Sequence, residues 1–426
     1  MSIPHLPHLQ HAPTPRTRTP RTRIRTRTGT GTLRTLAAAS ALLLATACAS
    51  NAGGSSASTG FAPPSIPAHK SLGPGEGTVN IVAWAGYVEY GQDSKTVDWV
   101  TPFTRQTGCK VNLKVAGTSD EMVALMKTGQ YDTVSASGDA TLRLIAGGDV
   151  APVNTALVPN YADIYPGLKN QPWNSVNGVP YGIPHGRGAN LLMYNTDKVT
   201  PAPTSWGAVF AASSPYAGHI TAYDSPIYIA DAALYLMKTR PELGIRNPYA
   251  LTPAQLDAAV GLLKVQKKQI GSYWSDYTKE QAAFDSGDDL IGTTWEVIQQ
   301  AVATDGKVKT QAILPAEGST GWSDTWMVSA HAQHPDCAYQ WMNYIVSPSV
   351  NAQVAEYFGE APANSKACAQ ITDNPGFCGE YHATDESWWK NVYFWTTPTA
   401  QCADGSGRND CTTYAQWVTA WNGIKS

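Results

Sequence analysis

The chain has 426 residues, of which 42% are hydrophobic and 15% are charged, so it can bury a large core, and its length suits two globular lobes better than one. The formal charge is −3, but residues 1–47 contain seven arginines and no lysine or acidic residue, and the rest of the chain has 23 basic and 33 acidic residues, a charge of −10. Such an acidic surface argues against nucleic acid as a partner.

Residues 1–47 are typical of an export signal. A basic region, with arginines from 16 to 34, precedes an apolar run at 36–47 that is too short to span a bilayer as a mature helix. The small residues before Cys48 resemble a bacterial lipoprotein signal, so Cys48 is expected to be the lipidated first residue of the mature chain. The alternative is a secreted protein cut before Cys48. Residues 48–77, rich in Ser, Gly, Ala and Pro, predict a flexible tether.

From residue 78 the chain alternates between strand and helix patterns. Runs of β-branched and apolar residues predict strands, and segments with apolar residues at helical spacing predict helices. The strands are expected at 79–84, 109–115 and 131–136, the first helices at 98–108 and 119–129, and later helices after Thr252 and Asp336. This alternation predicts an α/β fold with a largely parallel sheet.

Six cysteines follow Cys48, and an even number in an exported chain predicts disulfides. Two pairs are close in sequence and flanked by turn-forming residues, which favours local bridges. These are Cys368–Cys378 and Cys402–Cys411, which would leave Cys109 with Cys337. The chain has no C-x-x-C pair and no histidine cluster, so no metal site is expected.

Residues 313–328 place one carboxylate among tryptophans. Trp322, Asp324 and Trp326 alternate, so in an extended strand they share one face. Aromatic rings attract positive charge and a carboxylate pairs with it, so this pattern suits an organic cation. The alternative is an ordinary half-buried strand with the same alternation.

A set of short motifs occurs in one order between residues 84 and 353. It includes Trp-Ala-Gly-Tyr after the first strand and the Trp-x-Asp of residues 322–324, and the whole set lies at 84–87, 103–111, 119–129, 131–137, 179–184, 193–199, 313–328 and 338–353. In these motifs the chain resembles the substrate-binding proteins of bacterial ABC importers, specifically the spermidine/putrescine-binding branch.

The resemblance implies a type 2 periplasmic-binding-protein fold, in which two α/β lobes joined by hinge strands close on a ligand in the cleft between them. The first lobe is expected to contain residues 78–186 and 324–365, and the second residues 187–323 and 366–426. The implied function is that of a receptor, not an enzyme, that passes a small organic amine such as putrescine or spermidine to an ABC permease. We expect a monomer without a cofactor, anchored by its lipid to the outer face of the cytoplasmic membrane.

The resemblance also implies which residues line the cleft. Aromatic walls are expected from Trp84, Tyr87, Trp295 and Trp322. Asp324 matches the family aspartate that takes an amino group, so it is expected to be the principal anchor, and Ser137 matches a serine after the third strand.

Three acidic residues are further candidates. Asp139 stands where the family often has an aromatic residue, and is either an extra cation anchor or a helix N-cap. Asp224 lies near the family's second-lobe acids, but the acid usually found three positions later is Ile227 here, which leaves the far amine poorly served. Glu360 falls where the family can place a tyrosine, and is either a ligand contact or a solvated loop charge.

Arg187, at the hinge crossing, leaves the ligand charge open. If it forms a structural salt bridge or faces outward, a polyamine is favoured. If it faces the cleft, it would hold a carboxylate or phosphonate, and the ligand would be a zwitterionic amine such as 4-aminobutyrate, an opine or an aminophosphonate.

Two other classes remain as alternatives. A sugar-binding protein of the same fold would also use tryptophan walls, but would not depend on the charge of Asp324. An exported hydrolase could use Asp324 and Glu360 as a glycosidase pair. The chain has no G-x-S-x-G, no HExxH and no phosphate-binding loop, which disfavours most hydrolases.

Overall fold

The computed structural model of the protein describes residues 62–92 and 95–426. The predicted signal sequence, Cys48 and the first part of the predicted tether lie outside these residues. Within the described part of the chain, no helix is both long and apolar enough to cross a membrane.

Strands and helices alternate along the chain. The strands are β1 (Thr78–Ala83), β2 (Lys110–Val115), β3 (Thr133–Ala136), β4 (Ser175–Val176), β5 (Val179–Pro180), β6 (Ile183–Asn195), β7 (Ile220–Tyr223), β8 (Ile270–Trp274), β9 (Ile291–Trp295), β10 (Thr310–Ile313), β11 (Ser319–Val328), β12 (Ala361–Pro362) and β13 (Val392–Phe394). The helices are α1 (Val100–Thr107), α2 (Ser119–Met126), α3 (Gly138–Gly147), α4 (Gly207–Phe210), α5 (Ile229–Thr239), α6 (Pro253–Lys267), α7 (Tyr277–Ser286), α8 (Glu296–Asp305), α9 (Pro335–Ile345), α10 (Pro348–Phe358), α11 (Phe377–Glu380), α12 (Glu386–Trp389) and α13 (Tyr414–Lys425).

The predicted elements form for the local reasons that the sequence contains. Helix α1 ends at Gly108, which adopts a left-handed conformation that glycine tolerates without strain. Helix α6 begins with a capping box, in which the Thr252 side chain and the Gln255 side chain each accept a backbone N–H of the other residue. These ends set the lengths of the helices that cover the sheet.

Most strands belong to one sheet with the order β2-β1-β3-β11-β6-β9-β7-β8. Strands β10 and β12 also pair with β6, and β13 pairs with β11. Strand β1 is parallel to β2 and β3, and β7 is parallel to β8 and β9, whereas β6 and β11 are antiparallel to each other. Two parallel sections are therefore joined by two antiparallel central strands.

The central strands β6 and β11 each take part in both sections. One half of β11 pairs with β3, while β6 pairs with β9 toward its end. Between these regions the strands pair with each other, with Trp322 opposite Gly188 and Asp324 opposite Gly186. Every residue of β11 is buried, so the face that carries Trp322 and Asp324 lies inside the molecule.

Two large hydrophobic cores lie on either side of these strands. The first core packs β1, α1 and α9 and includes Trp326, while the second packs β7, α5, α6 and α13 and includes Trp322. Asp324 therefore lies on the strand between a tryptophan of one core and a tryptophan of the other.

The six described cysteines form three disulfides, Cys109–Cys337, Cys368–Cys378 and Cys402–Cys411, the same pairs that we expected from the sequence. Among the described residues, Cys402, Asp410 and Cys411 are the one group close enough to share a metal ion. Because the two thiols are joined in a disulfide, this group has no thiolate to offer a metal.

The described part of the predicted tether packs on the folded domain. Ile66 packs against the first core, and His69 Nε2 lies 2.6 Å from the carboxylate of Asp336. The Glu76 carboxylate accepts the backbone N–H groups of Asp336 and Cys337 at 2.9 and 3.0 Å. Residues 62–77 thus contact the folded domain, although their proline-rich composition predicted a flexible tether, and the first strand begins at Thr78.

Candidate ligand-binding site

Asp324 is the centre of a buried polar cluster. Its Oδ1 accepts a hydrogen bond from Ser137 Oγ at 2.5 Å, and its Oδ2 accepts one from Tyr87 Oη at 2.8 Å. Tyr87 lies in the loop after β1 and Ser137 directly follows β3. Because the carboxyl ends of neighbouring parallel strands lie at one edge of a sheet, these loops bring both hydroxyls to the central strand.

Glu360 supplies a second carboxyl group to the same tyrosine. Its Oε2 accepts a hydrogen bond from Tyr87 Oη at 2.9 Å, and its Oε1 lies 3.4 Å from His185 Nε2 without a hydrogen bond. Glu360 is fully buried, so it is not a solvated loop charge. Its carboxyl group fills the space that a side chain at Gly186 would need, so only glycine permits this approach. We call Tyr87, Ser137, His185, Asp324 and Glu360 the acid cluster.

The acid cluster contains two acids and lacks a permanent cation among the described residues. Burial raises the pKa of Asp324 to about 7, against the hydrogen bonds from Ser137 and Tyr87 that lower it. Burial, followed by the charge of Asp324, raises the pKa of Glu360 well above its ordinary value. Burial also lowers the pKa of His185 to about 3, so its imidazole is neutral. One positive charge brought by a ligand would relieve the cost of ionising both acids.

The number of hydrogen-bond donors in the acid cluster also favours a cationic ligand. A tyrosine hydroxyl has one proton, so Tyr87 can donate to Asp324 or to Glu360 but not to both. Two hydrogen bonds at this oxygen require one carboxyl group to be protonated and to donate in return. A bound cation would remove this requirement, because its own N–H groups could satisfy the freed oxygen.

Aromatic rings extend from the acid cluster in an unbroken series. Phe358 packs against Tyr87 and Trp322, with ring centroids 4.6 and 5.8 Å apart. Trp322 in turn lies 6.3 Å from Trp295, which packs against Tyr223 at 5.5 Å. The apolar part of a ligand held at the acid cluster would lie along these rings.

Trp84 and Trp326 are placed differently from the rings of this series. Trp84 is half-buried and its Nε1 is shielded from solvent without a hydrogen-bond partner. Trp326 is fully buried in the first core, where it packs against Trp341 at 5.7 Å. Trp326 also packs against His185 and Tyr87, with ring centroids 5.6 and 6.4 Å away, so it borders the acid cluster from the first core.

Asp139 and Asp224 form no hydrogen bond with Asp324, although the charge of Asp139 contributes to the raised pKa of Asp324. Asp139 is buried in the first turn of α3 and accepts a hydrogen bond from Ser119 Oγ at 2.8 Å, and burial raises its pKa to about 6. Its side chain does not cap the helix. Asp224 forms an ion pair with Lys425 Nζ at 2.9 Å and accepts a hydrogen bond from Trp421 Nε1 at 3.2 Å. Both carboxylates therefore already have partners in the protein.

Arg187 also has partners within the protein. Its guanidinium lies 2.7 Å from Glu386 and 4.3 Å from the ring centroid of Trp389. Arg187 is opposite Ser323, whereas Gly186 and Gly188 are opposite the residues that face the acid cluster. Because side chains alternate along a strand, Arg187 lies on the other face of β6, in the arrangement of a structural salt bridge.

Comparison with known families adds to this geometry. Residues 98–378 match the model of the bacterial extracellular solute-binding protein family, which is more than half of the chain. The chain belongs to this family. The resemblance inferred from the sequence motifs is thereby confirmed at the level of the family.

One curated relative of this solute-binding protein is the spermidine/putrescine-binding periplasmic protein of Escherichia coli (strain K12). The two are 26% identical over 294 residues, which cover 68% of this chain and 78% of the relative. The relative is named as a binding protein and not as an enzyme.

Solved structures confirm the predicted fold class, with two α/β lobes joined by hinge strands. The spermidine/putrescine substrate-binding protein PotD of Streptococcus pneumoniae superposes with a TM-score of 0.63 at 19% identity, over 82% of this chain and 99% of that one. The protein MotA of A. tumefaciens B6, in complex with glucopine, superposes with a TM-score of 0.62 at 17% identity, over 82% and 100% of the two chains.

Two features of the solute-binding protein's site were not expected from its sequence. His185 joins the acid cluster, Phe358 joins the aromatic series, and a further buried carboxyl group belongs to Asp231 on α5. Asp231 Oδ1 accepts hydrogen bonds from Thr320 Oγ1 at 2.9 Å and Asn190 Nδ2 at 3.4 Å. The alternation of Thr320 with Trp322 and Asp324 is the one sequence signal that pointed to this region.

Proposed function

We propose that the protein is the extracytoplasmic receptor of an ABC importer and binds a polyamine such as spermidine or putrescine. One ammonium group of the ligand contacts Asp324 and Glu360 beside the Tyr87 hydroxyl. The observation that carries this proposal is the pair of buried carboxyl groups that share the Tyr87 hydroxyl without a cation among the described residues. The names of the curated relative and of the PotD structure support the same ligand class.

The chemistry of an ammonium group fits this environment. It has N–H donors and no acceptor, so it complements carboxylate oxygens, which have enough lone pairs to accept from it as well as from the Tyr87 and Ser137 hydroxyls. Its charge would allow both carboxyl groups to ionise in a buried site, which neither can do at low cost alone. The methylene groups of a polyamine would pack on the rings of Phe358, Trp322 and Trp295, where cation–π attraction also acts.

A glycosidase fits the acid cluster less well. The acid and the base or nucleophile of such an enzyme flank the scissile bond, so the space between them must admit the sugar. Here the Tyr87 hydroxyl lies between Asp324 and Glu360 and bonds to both. A neutral sugar would also leave the two acids without a counter-charge.

A zwitterionic amine is a second candidate ligand. The indole N–H groups of Trp322 and Trp395 are buried without an acceptor, and a ligand carboxylate would supply one. MotA, which was solved with glucopine, supports this class. In this version the indole donors hold the ligand's acid group and Arg187 keeps its salt bridge to Glu386.

The two lobes and the membrane anchor complete the proposal. All fully buried members of the first core fall within 78–186 and 324–365, and those of the second core within 187–323 and 366–426, which supports these lobe boundaries. Residues 62–77 would belong to the first lobe. Lipid on Cys48 would hold the monomeric receptor near its permease, and ligand would favour the closed state of the lobes.

A thermal-shift titration with putrescine, spermidine and 4-aminobutyrate at one salt concentration tests the proposal. A ligand that binds the native state raises the melting temperature by mass action. A shift with the polyamines alone supports the proposed function, and a shift with 4-aminobutyrate alone supports the zwitterionic ligand. A shift caused by a neutral sugar would contradict both candidate ligand classes. So would the absence of a shift with every amine.

A further inference from the structure

Asp231 is a second buried acid with an unused oxygen. Only 2% of the residue is exposed, and while Oδ1 accepts hydrogen bonds, Oδ2 has no partner. No basic side chain among the described residues forms an ion pair with it, and burial raises its pKa to about 7. Such a group is costly to keep in a protein interior unless a further partner is supplied.

Asp231 is connected to the aromatic series through Asn190. The Asn190 Oδ1 accepts the indole N–H of Trp295 at 3.0 Å, while its Nδ2 donates to Thr320 Oγ1 at 2.6 Å and to Asp231. Trp295 packs against Trp322. The rings that begin at the acid cluster therefore lead to the second carboxyl group.

One face of β11 carries Asp324 near its middle and Thr320, the hydrogen-bond partner of Asp231, near its start. Thr320, which bonds to Asp231, is on the same side of β11 as Trp322 and Asp324, because side chains alternate along a strand. Thr320 and Asp324 are four residues apart, which corresponds to about 13 Å along the strand. Trp322 lies midway, with its ring over Gly188, where a larger residue would overlap it.

We propose that Asp231 binds the second terminal ammonium group of a long polyamine, so that the receptor prefers a triamine of spermidine's length to a diamine. This inference rests on the proposed function. Nine bonds separate the terminal nitrogens of spermidine, roughly 11 Å when extended, whereas the five bonds of putrescine span roughly 6 Å. Spermidine is long enough to reach from the acid cluster across Trp322 toward Asp231. Putrescine is too short, and leaves either Asp231 or the acid cluster without an ammonium group.

The distal anchor also explains a departure from the family pattern. Ile227 replaces the acid that the resemblance led us to expect in the second lobe, and Asp224 is engaged by Lys425. Asp231 lies one helical turn beyond Ile227, on α5. A carboxylate at this position would restore a partner for the far amine at a greater distance from Asp324.

Calorimetric titration of spermidine and putrescine into the full disulfide-bonded chain and its Asp231→Asn variant tests this inference. We expect the substitution to weaken spermidine binding ten-fold or more and putrescine binding less than two-fold. The matched control is Glu280→Gln, since Glu280 is also a fully buried acid but lies on α7, outside the aromatic series. This control should leave both affinities unchanged.

A second measurement needs no variant of the protein. Acetylation of one terminal amine of spermidine removes one charge and should weaken its binding to the unaltered chain ten-fold or more. Equal losses for spermidine and putrescine in Asp231→Asn, or tighter binding of putrescine than of spermidine by the unaltered chain, would overturn the distal anchor while leaving the polyamine receptor intact. Absence of binding by either polyamine would instead overturn the proposed function.

Discussion

Tyr87 is the residue on which the chemistry of the acid cluster depends. Its hydroxyl lies within hydrogen-bond distance of two buried carboxyl groups but can donate its proton to only one of them, and its ring packs against Phe358 and His185 with centroids 4.6 and 4.3 Å away. The packing holds the hydroxyl in place, so the two acids stay close together although repulsion would separate them when both are ionised. A cation that contacts both acids would offset this repulsion.

Asp324→Asn should weaken amine binding ten-fold or more. The amide keeps the shape of the side chain but removes the charge, and loss of one partner of a buried charged pair costs about 2–5 kcal/mol. Calorimetric titration with spermidine measures the effect. Asp257→Asn, which changes an exposed acid on α6, should not alter the affinity. An Asp324→Asn variant with the affinity of the unaltered chain would exclude Asp324 as the amine anchor.

Amine affinity should rise with pH across neutrality. Asp324 has a pKa of about 7 without ligand, and only the carboxylate attracts an ammonium group. Ionisation of Asp324 should therefore make the affinity at least about ten-fold lower at pH 6 than at pH 8, and ligand binding at pH 6 should release about two protons, one from Asp324 and one from Glu360. Titrations in buffers of different ionisation enthalpy measure these protons. The groups around Asp324 that could contribute are Tyr87, Ser137, His185, Glu360 and Asp139.

The same shift determines how the stability of the unliganded protein depends on pH. Asp324 binds its proton more tightly in the folded state than in the unfolded state, so folding loses stability as the pH rises from about 4 to about 7. A bound ammonium group restores this loss because it stabilises the carboxylate. The rise in melting temperature caused by spermidine should thus be larger at pH 8 than at pH 6, and an equal rise at both pH values would contradict the ionisation of Asp324 on binding.

At the scale of elements, strand β6 supplies the floor of the site. Gly186 lies beneath Glu360 and Gly188 beneath Trp322, and a Cβ atom at either position would overlap those side chains. Two residues further along, Asn190 bonds to Asp231. On β6, Gly186 and Gly188 leave room for the Glu360 and Trp322 side chains, and Asn190 supplies a polar side chain next to Thr320 of β11.

Gly188→Ala should damage both folding and ligand binding. The added methyl group must displace the ring of Trp322. Overpacking of this kind should lower the free energy of unfolding by about 1–3 kcal/mol. Gly261→Ala is the matched control, since it adds the same methyl group on α6 with no atom within 4 Å. That control should stabilise the helix by up to about 1 kcal/mol. Denaturant unfolding and spermidine titration of both variants measure the difference, and equal behaviour of the two would contradict the packing role of Gly188.

The elements show what the sequence could and could not predict. Local patterns predicted β1, β2, α1 and α2 to within a few residues, and strand alternation predicted that Trp322 and Asp324 share a face. Glu360 could not be placed in this way, because its position depends on contacts distant in sequence. It directly precedes β12, and the pairing of β12 with β6 holds it near Tyr87. Trp326 packs against Tyr87 and His185, on the face that the alternation with Asp324 predicted for it. The register shift between Asp324 and Thr325 leaves His185 on β6 without a paired residue on β11, and alternation in sequence does not reveal such an irregularity.

At the scale of the whole molecule, the first described residues pack against the folded domain. Residues 62–77 run over the first core, and Asn154 Nδ2 donates to the backbone carbonyl of His69 at 3.0 Å. Composition predicted a tether here, because proline and small residues dominate. Composition cannot show that one carboxylate, that of Glu76, is placed to accept hydrogen bonds from α9. Helix α9 has no side-chain cap of its own, and Glu76 accepts the N–H groups of its first turn instead.

Deletion of residues 1–77 should therefore destabilise the protein relative to deletion of residues 1–61. The longer deletion removes Glu76 from the start of α9, and loss of a helix cap costs about 1 kcal/mol, to which the exposure of the surface covered by Ile66 adds. We expect a melting temperature lower by several degrees. Spermidine affinity should not change, because residues 62–77 make none of the hydrogen bonds of the acid cluster. Equal melting temperatures for the two deletions would return residues 62–77 to the tether and place the start of the folded lobe at Thr78.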